Sequence, residues 1–376
     1  MTGADSETQR LLDTFFEAVR IDSPSGQEGA FAVWCVERLN ALGGEVRVDS
    51  SAAATGSETG NVIAEFPGSA DGPTIVFSAH LDTVEPGRGI VPVVSDGVVR
   101  SAGETILGAD DKSGVAAIFE VLARVREQGR PHVPMRVLLT TGEEMGLCGA
   151  KALDAAECTG DLCIVLDADG PVGGIVVSSP THWTFKATFT GRAAHAGVEP
   201  EKGRSALVMA SAAVMAMGLG RLDGETTANV GRIEGGRATN VVAGSCVMTG
   251  ECRSIDAAKV EVVRGDMDAA MHAAAESRGG SVSVLWTKEY DGFRFDTTDP
   301  LLALLEEAFA SVAVTPRRFS TGGGSDGNVL AAKGLPTLVL SCGMSEVHST
   351  GENVRVADLE ATVRLLLAVL DRAVAS

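Results

Sequence analysis

The sequence predicts an α/β fold: a doubly wound, mainly parallel sheet interrupted by a smaller α+β domain of ferredoxin-like pattern. Three observations carry that expectation. Short apolar segments alternate with helical stretches as far as Leu166 and again near the end of the chain. The middle instead runs β-α-β-β-α-β, the split-βαβ order of a small antiparallel sheet with two helices on one face. Charge marks the same boundary: residues 181–290 hold twelve Lys/Arg and twelve Asp/Glu, so the net −19 lies wholly outside them. At 376 residues the chain exceeds the usual range of one domain. The expected division is a main domain over 1–180 and 291–376 and an inserted domain over 181–290.

The chain opens with two helical patterns, SETQRLLDTFFEAVRI and GQEGAFAVWCVERLNALG, the second stopped at Gly43-Gly44. Phe15, Phe16, Trp34 and Leu39 are their expected core residues. Thr74–Ala79 (TIVFSA) reads as a buried strand and Lys112–Glu127 as a helix. Met135–Thr140 (MRVLLT) and Leu162–Leu166 (LCIVL) read as further strands. Within the insert, Trp183–Thr190 alternates like a half-exposed strand and Arg204–Met217 is an Ala/Met-rich helix. Strands follow near Ala228–Glu234 and Cys246–Arg253, then a helix over Asp256–Ser277 and a strand over Ser281–Tyr290. Its methionines, Met209, Met215 and Met217, read as helix packing or a subunit contact. Pro336–Ser341 (PTLVLS) is the last main-domain strand, and a helix from Val356 to Val374 closes the chain.

Composition excludes several classes. Hydrophobic residues make up 45%, too many for a disordered chain. No run reaches the roughly 18 apolar residues of a membrane span, so no membrane association is expected. The start, MTGADSETQR, lacks the basic and apolar regions of a signal peptide. Seven scattered cysteines without a C-x-x-C pair read as reduced thiols of a cytoplasmic protein. The acidic balance argues against a nucleic-acid partner. It suits a solvated surface, with part of the charge offset by bound cations.

Five polar clusters sit where main-domain strands end: His80 and Asp82, Asp110 and Asp111, Glu143 and Glu144, Asp167, and His348. Ligands of an open α/β sheet collect at the carboxyl ends of its strands. Two imidazoles and several carboxylates, without a thiolate, suit zinc or a similar divalent ion. A pair of ions needs a bridging carboxylate, a His on each and a further acid on each. A remaining acid is then available to take a proton from water. Each cluster alone has a blander reading: an H-x-D pair is common, Asp-Asp ahead of a helix caps it, Glu-Glu in a loop is solvated, and Asp167 is a turn residue. Their joint occurrence at one kind of position is what favours a metal centre.

AHLDT, GADDKSG, TTGEEMG, LDADG and EVHSTGE, in this order, resemble the M20 metallopeptidases, and most nearly the peptidase T-like (tripeptidase) branch. The resemblance spans nearly the whole chain, insert included, and implies a zinc-peptidase-like main domain. It implies that His80, Asp110 and Asp167 bind one zinc and that Asp110, Glu144 and His348 bind the other. Two Zn2+ per chain are expected, with Co2+ or Mn2+ as substitutes. Asp82 would orient His80, Glu143 would serve as general base and then acid, and the Asp110–Asp111 peptide would be cis. Asp167 and Asp169 both lie in LDADG; Asp167 is preferred because it ends the strand. An Asp there resembles the aminopeptidase and dipeptidase members, whereas many carboxypeptidase and deacylase members carry Glu.

The insert would act as lid and dimerisation domain, giving a homodimer. The histidine of its motif GRAAHAGVEPEKGRSA reads alone as a loop residue; the resemblance implies that His195 would contact the scissile carbonyl oxygen, as an oxyanion stabiliser. Asn240 in GGRATNVV and Arg253 in GECRSID match lid residues that hold substrate. Arg253 has the planar fork suited to a carboxylate; its alternative is a strand-end pair with Asp256. GGGSDG, over 322–327, matches both a dinucleotide fingerprint and a G-x-S-x-G nucleophile elbow. It lies too late in the chain for the first, and few sheet elements remain for the second. The resemblance makes Gly323 and Gly324 a wall of the substrate pocket, where glycine permits close backbone approach. His132, His182 and His272 match no motif.

The leading expectation is a dizinc aminopeptidase acting on short peptides such as tripeptides. Its rivals are an M20 amidohydrolase or carboxypeptidase acting on N-acyl amino acids, a serine hydrolase using Ser325, and a non-catalytic peptide- or zinc-binding module. Glu143 speaks against the last, since binding alone needs no spare base.

Overall fold

Leu11, Phe15, Ala18 and Val19 recur at helical spacing along Gly3–Arg20 and are all fully buried. Phe31, Cys35 and Leu39 do the same for Gly29–Ala41. In the computed structural model, which describes residues 3–296 and 298–375, these helices join a core with the strands and with helices Ala109–Gln128 and Val356–Ala375. The chain divides into two compact units. One comprises Met1–Val177, Phe295–Ser320 and Ser325–Ser376; the other comprises Ser178–Arg294 and Thr321–Gly324.

The first unit is built on a mixed sheet. From one edge its strands run Glu45–Val48, Val62–Phe66, Met135–Thr140, Ile75–His80, Leu162–Ala168, Thr337–Ser341 and Gly174–Ser179. The four strands from Met135–Thr140 to Thr337–Ser341 are parallel, and the flanking pairs are antiparallel. Ile75–His80 is buried at every residue, as a central parallel strand must be. Leu162–Ala168 runs two residues past the expected end, because Ala168 pairs with Ser341 beyond a register shift. A small second sheet orders Met344–Ser345, Asn353–Arg355, Val98–Ser101 and Pro92–Ser95.

The second unit is a five-stranded antiparallel sheet ordered Gly220–Arg221, Thr226–Gly235, Ser245–Ser254, Thr181–Thr190 and Ser281–Tyr290. Alternate residues Phe185, Ala187 and Phe189 share a core with Cys246, Met248 and Cys252 and with helices Ala206–Ala216 and Ala257–Glu276. Met209 is buried in that core, whereas Met215 is 85% exposed. Ser205 and Asp256 cap the two helices, accepting from Val208 and from Ala258 and Lys259. Asp256 is therefore a cap, and Arg253 pairs instead with Glu251. Residues 321–324 group with this unit, since Arg253 donates to the Gly322 carbonyl and Ser179 to that of Gly323. Six of the seven cysteines, Cys35, Cys158, Cys163, Cys246, Cys252 and Cys342, are buried. Among the described residues no helix is long and apolar enough to cross a membrane.

Candidate metal centre

The parallel strands deliver the polar clusters to one edge of the sheet. His80 ends Ile75–His80, Glu143 and Glu144 follow Met135–Thr140, and Asp167 lies one residue from the end of Leu162–Ala168. Thr337–Ser341 leads into the loop that carries His348. Asp110 and Asp111 open the helix Ala109–Gln128 with non-helical backbone angles, and Gly108, not an aspartate, is its N-cap.

Their donor atoms converge in three overlapping groups, two of which share Asp110. Ligand atoms of His80, Asp110 and Asp167 lie within 4.8 Å of one another, and so do those of Asp110, Glu144 and His348. Asp110 faces both imidazoles: its Oδ1 is 2.9 Å from His80 Nε2, and its Oδ2 is 3.2 Å from His348 Nε2. His80 Nε2 is also 3.7 Å from Asp167 Oδ1, and His348 Nε2 is 2.8 Å from Glu144 Oε1. Asp169 is exposed, so within LDADG it is Asp167 that joins the cluster. Glu143 stands within 4.8 Å of His80 and Glu144 as well.

A second layer fixes these groups. His80 Nδ1 lies 2.9 Å from the Asp82 carbonyl oxygen and 3.5 Å from its carboxylate. The backbone N–H of His80 donates to Asp111. Glu352 accepts from the N–H groups of Leu107, Gly108 and Asp110 at 2.8–2.9 Å, which anchors the turn before the shared aspartate. The Asp110–Asp111 peptide bond is cis. His348 and Glu346 sit at φ 60° and 54°, a region a β-carbon disfavours, typically at a cost of about 1–3 kcal/mol.

Electrostatics favours cations here. Burial pulls the His80 imidazole down, but its hydrogen bonds to Asp110 and Asp82 hold it well above its ordinary value. Hydrogen bonds to Asp110 and Glu144 push His348 up to about 10. Burial drives Asp167 well above the usual carboxylate range, reinforced by the Glu143 charge. Burial likewise raises Glu143, and the charges of Asp326 and Glu144 add to it. Such a crowd of acids around two imidazoles suits a divalent cation. The nitrogen and oxygen donors, with no thiolate, fit zinc or a similar divalent ion.

The remaining expected residues belong to the second unit. His195 is exposed and forms an antiparallel bridge with Val241. Ala196 N–H donates to the Asn240 carbonyl at 2.9 Å, so His195 and Asn240 occupy facing segments. Arg253 turns Nε and Nη2 toward Glu251 and Nη1 toward the Gly322 carbonyl at 3.2 Å. Gly324 abuts Tyr290, where a β-carbon would collide with the ring. Ser325, in the first unit, is the N-cap of a seven-residue helix: its side chain accepts from Gly327 and its N–H donates to Asn328. That accounts for Ser325 without a nucleophilic role.

Sequence reasoning missed Glu28, Asn61, Asp326 and Glu352, all buried. Asp326 accepts from the Thr140 hydroxyl, and burial raises it to about 6. Glu352 stood in the EVHSTGE motif and Asp326 in GGGSDG, whereas Glu28 and Asn61 carry no spacing signal.

Residues 76–372 match the model of peptidase family M20/M25/M40. A solved structure of aminopeptidase PepT from Bacillus cereus ATCC 10987 is 41% identical, with a TM-score of 0.92 over 98% of this chain and 99% of that one. A tripeptidase from Staphylococcus aureus subsp. aureus Mu50 is 34% identical, with a TM-score of 0.95 over the same shares. The uncharacterized protein YqjE of Bacillus subtilis (strain 168) is 40% identical over 97% of this chain and 98% of its own length.

Proposed function

The chain belongs to peptidase family M20/M25/M40, and within it we propose a dizinc exopeptidase that removes the N-terminal residue from short peptides, tripeptides foremost. One observation carries the reading: five residues form two groups of three that share Asp110, and Glu143 stands beside His80 and Glu144 in a third. The similarity to structures named as an aminopeptidase and a tripeptidase supports the substrate class.

His80, Asp110 and Asp167 would hold one ion, and Asp110, Glu144 and His348 the other. When bound, such a pair polarises a carbonyl and acidifies a water. The protein's own residues do the proton work. Glu143 takes the proton of the attacking water and returns it to the leaving amine. Asp82 keeps His80 in orientation. His195 would donate to the developing oxyanion, and Asn240, Arg253, Gly323 and Gly324 would bound the substrate. A homodimer through the second unit belongs to the same reading, supported by the exposed Val208, Met215 and Val262 on that unit's helices.

Turnover of Ala-Ala-Ala against N-acetyl-alanine, with zinc supplied, tests the proposal. Release of free N-terminal alanine is the expected result. Selective cleavage of the N-acetyl compound would instead assign the chain to the amidohydrolases of this fold.

A further inference from the structure

Four consecutive backbone N–H groups in the loop that carries Glu143 and Glu144 donate to side chains from elsewhere in the chain. Thr141 donates to Asn61 Oδ1 at 3.1 Å and Gly142 to Glu28 Oε1 at 3.0 Å. Glu143 and Glu144 donate to the two oxygens of Asp82 at 2.9 and 3.2 Å. The carbonyls of Thr141, Gly142 and Glu143 accept in turn from Gly149, Cys148 and Gly146. Both polar edges of the loop are therefore occupied.

Glu28 is the least expected of these partners. It is 0% exposed, and its side chain makes no bond to the helix it precedes, so helix capping does not account for it. Its Oε1 accepts from Gly26 and Gly142, and its Oε2 accepts from the Ser57 hydroxyl. Two residues earlier than Gly26, Pro24 bridges to Thr83, and Ser25 donates to Asp82 at 2.6 Å. The segment from Pro24 to Glu28 thus grips both the strand end after His80 and the Gly142 loop. Gly142 has φ 60°, a left-handed turn that an external acceptor helps to hold.

We propose that Glu28 is a positioning residue of the metal centre: with Asp82 it fixes the backbone of Gly142–Glu144 and so aims the Glu144 ligand and the Glu143 base. The inference rests on the dinuclear reading above. It makes a differential claim, because in that reading Glu144 serves only the ion of Asp110 and His348, although its carboxylate also stands within 4.8 Å of His80 and Glu143. Loss of the Glu28 carboxylate should weaken the ion held by Asp110, Glu144 and His348 and spare the one held by His80, Asp110 and Asp167.

The test is Co2+ titration of the metal-free full chain, followed by absorbance, for wild type, Glu28→Ala, Glu28→Gln and Glu144→Ala. In Glu28→Ala, one Co2+ is expected to bind about 10–100-fold more weakly, the usual effect of losing such a partner. It should be the same ion that Glu144→Ala loses. On zinc-loaded enzyme kcat should fall by a similar factor with KM retained, and Glu28→Gln, which keeps an acceptor oxygen, should recover most of both. Should Glu28→Ala fail to fold, Glu28→Asp carries the test, since it keeps the charge but draws the carboxylate back from Gly142. Wild-type affinity for both ions, or equal weakening of both in step with lost thermal stability, overturns the proposal. A failed dinuclear reading shows separately, as a wild-type chain that takes up a single Co2+.

Discussion

Asp82 accepts the backbone N–H of Glu143 at 2.9 Å while its carboxylate stands 3.5 Å from Nδ1 of His80. One fully buried side chain thus meets both the imidazole proposed as a ligand and the backbone of the candidate base. Geometry at the two positions is coupled, and substitutions near either will be felt at the other.

Glu143→Gln preserves shape and hydrogen bonding but removes the proton acceptor. Metal content should stay at the wild-type level while kcat falls about 10²–10⁴-fold. Near-normal kcat in this variant would move the base elsewhere.

Asp110 faces both imidazoles, so its loss should differ in kind from loss of a terminal ligand. Wild type should saturate at two metal ions per chain by elemental analysis. Asp110→Ala should weaken both ions, and His348→Ala only one. A wild-type ratio that cannot be raised above one ends the dinuclear reading.

His195→Ala should lower kcat by about 10²–10³, as for loss of one oxyanion donor, with fold and metal content intact. Mixed with Glu143→Gln under demonstrated subunit exchange, it should regain activity if His195 serves the partner's site. Without recovery, His195 acts in its own chain; full activity of His195→Ala alone removes it from catalysis.

Within the second unit, the hydrogen bond from His182, reinforced by Arg253, holds the Glu251 carboxyl down to about 2, below its ordinary 4.5. A depressed acid stabilises the fold above its unfolded value and loses that contribution as pH falls toward the folded one. Glu251→Gln should therefore cost about 1 kcal/mol near neutrality, allowing for its partial exposure. The difference from wild type, followed by urea unfolding, should shrink between pH 4.5 and 2. A gap that persists unchanged at pH 2 contradicts the assignment.

What the sequence made legible were groups whose position along the chain betrays their position in space. His80, Glu144 and Asp167 each sit at or beyond the end of an apolar run, and a parallel sheet gathers such ends at one edge. Val62–Phe66 escaped notice because five residues amid Ser, Thr and Gly give too short a pattern. Pro300–Ser311 is marked by its Asp299-Pro start, an N-cap followed by proline. Glu28 and Asn61 were illegible for a deeper reason. Their partners are single backbone N–H groups 114 and 80 residues away, and no periodicity encodes a bond of that kind.

The anchoring of Asp110 by Glu352 also has a consequence in time. A ribosome delivers His80, Asp110, Glu144 and Asp167 first, and the entire second unit must then emerge before His348 and Glu352 appear. Until that late segment has been translated, the turn at Leu107–Asp110 lacks its three-fold acceptor and one imidazole is missing. A growing chain therefore carries most of its hydrolytic parts without a working assembly.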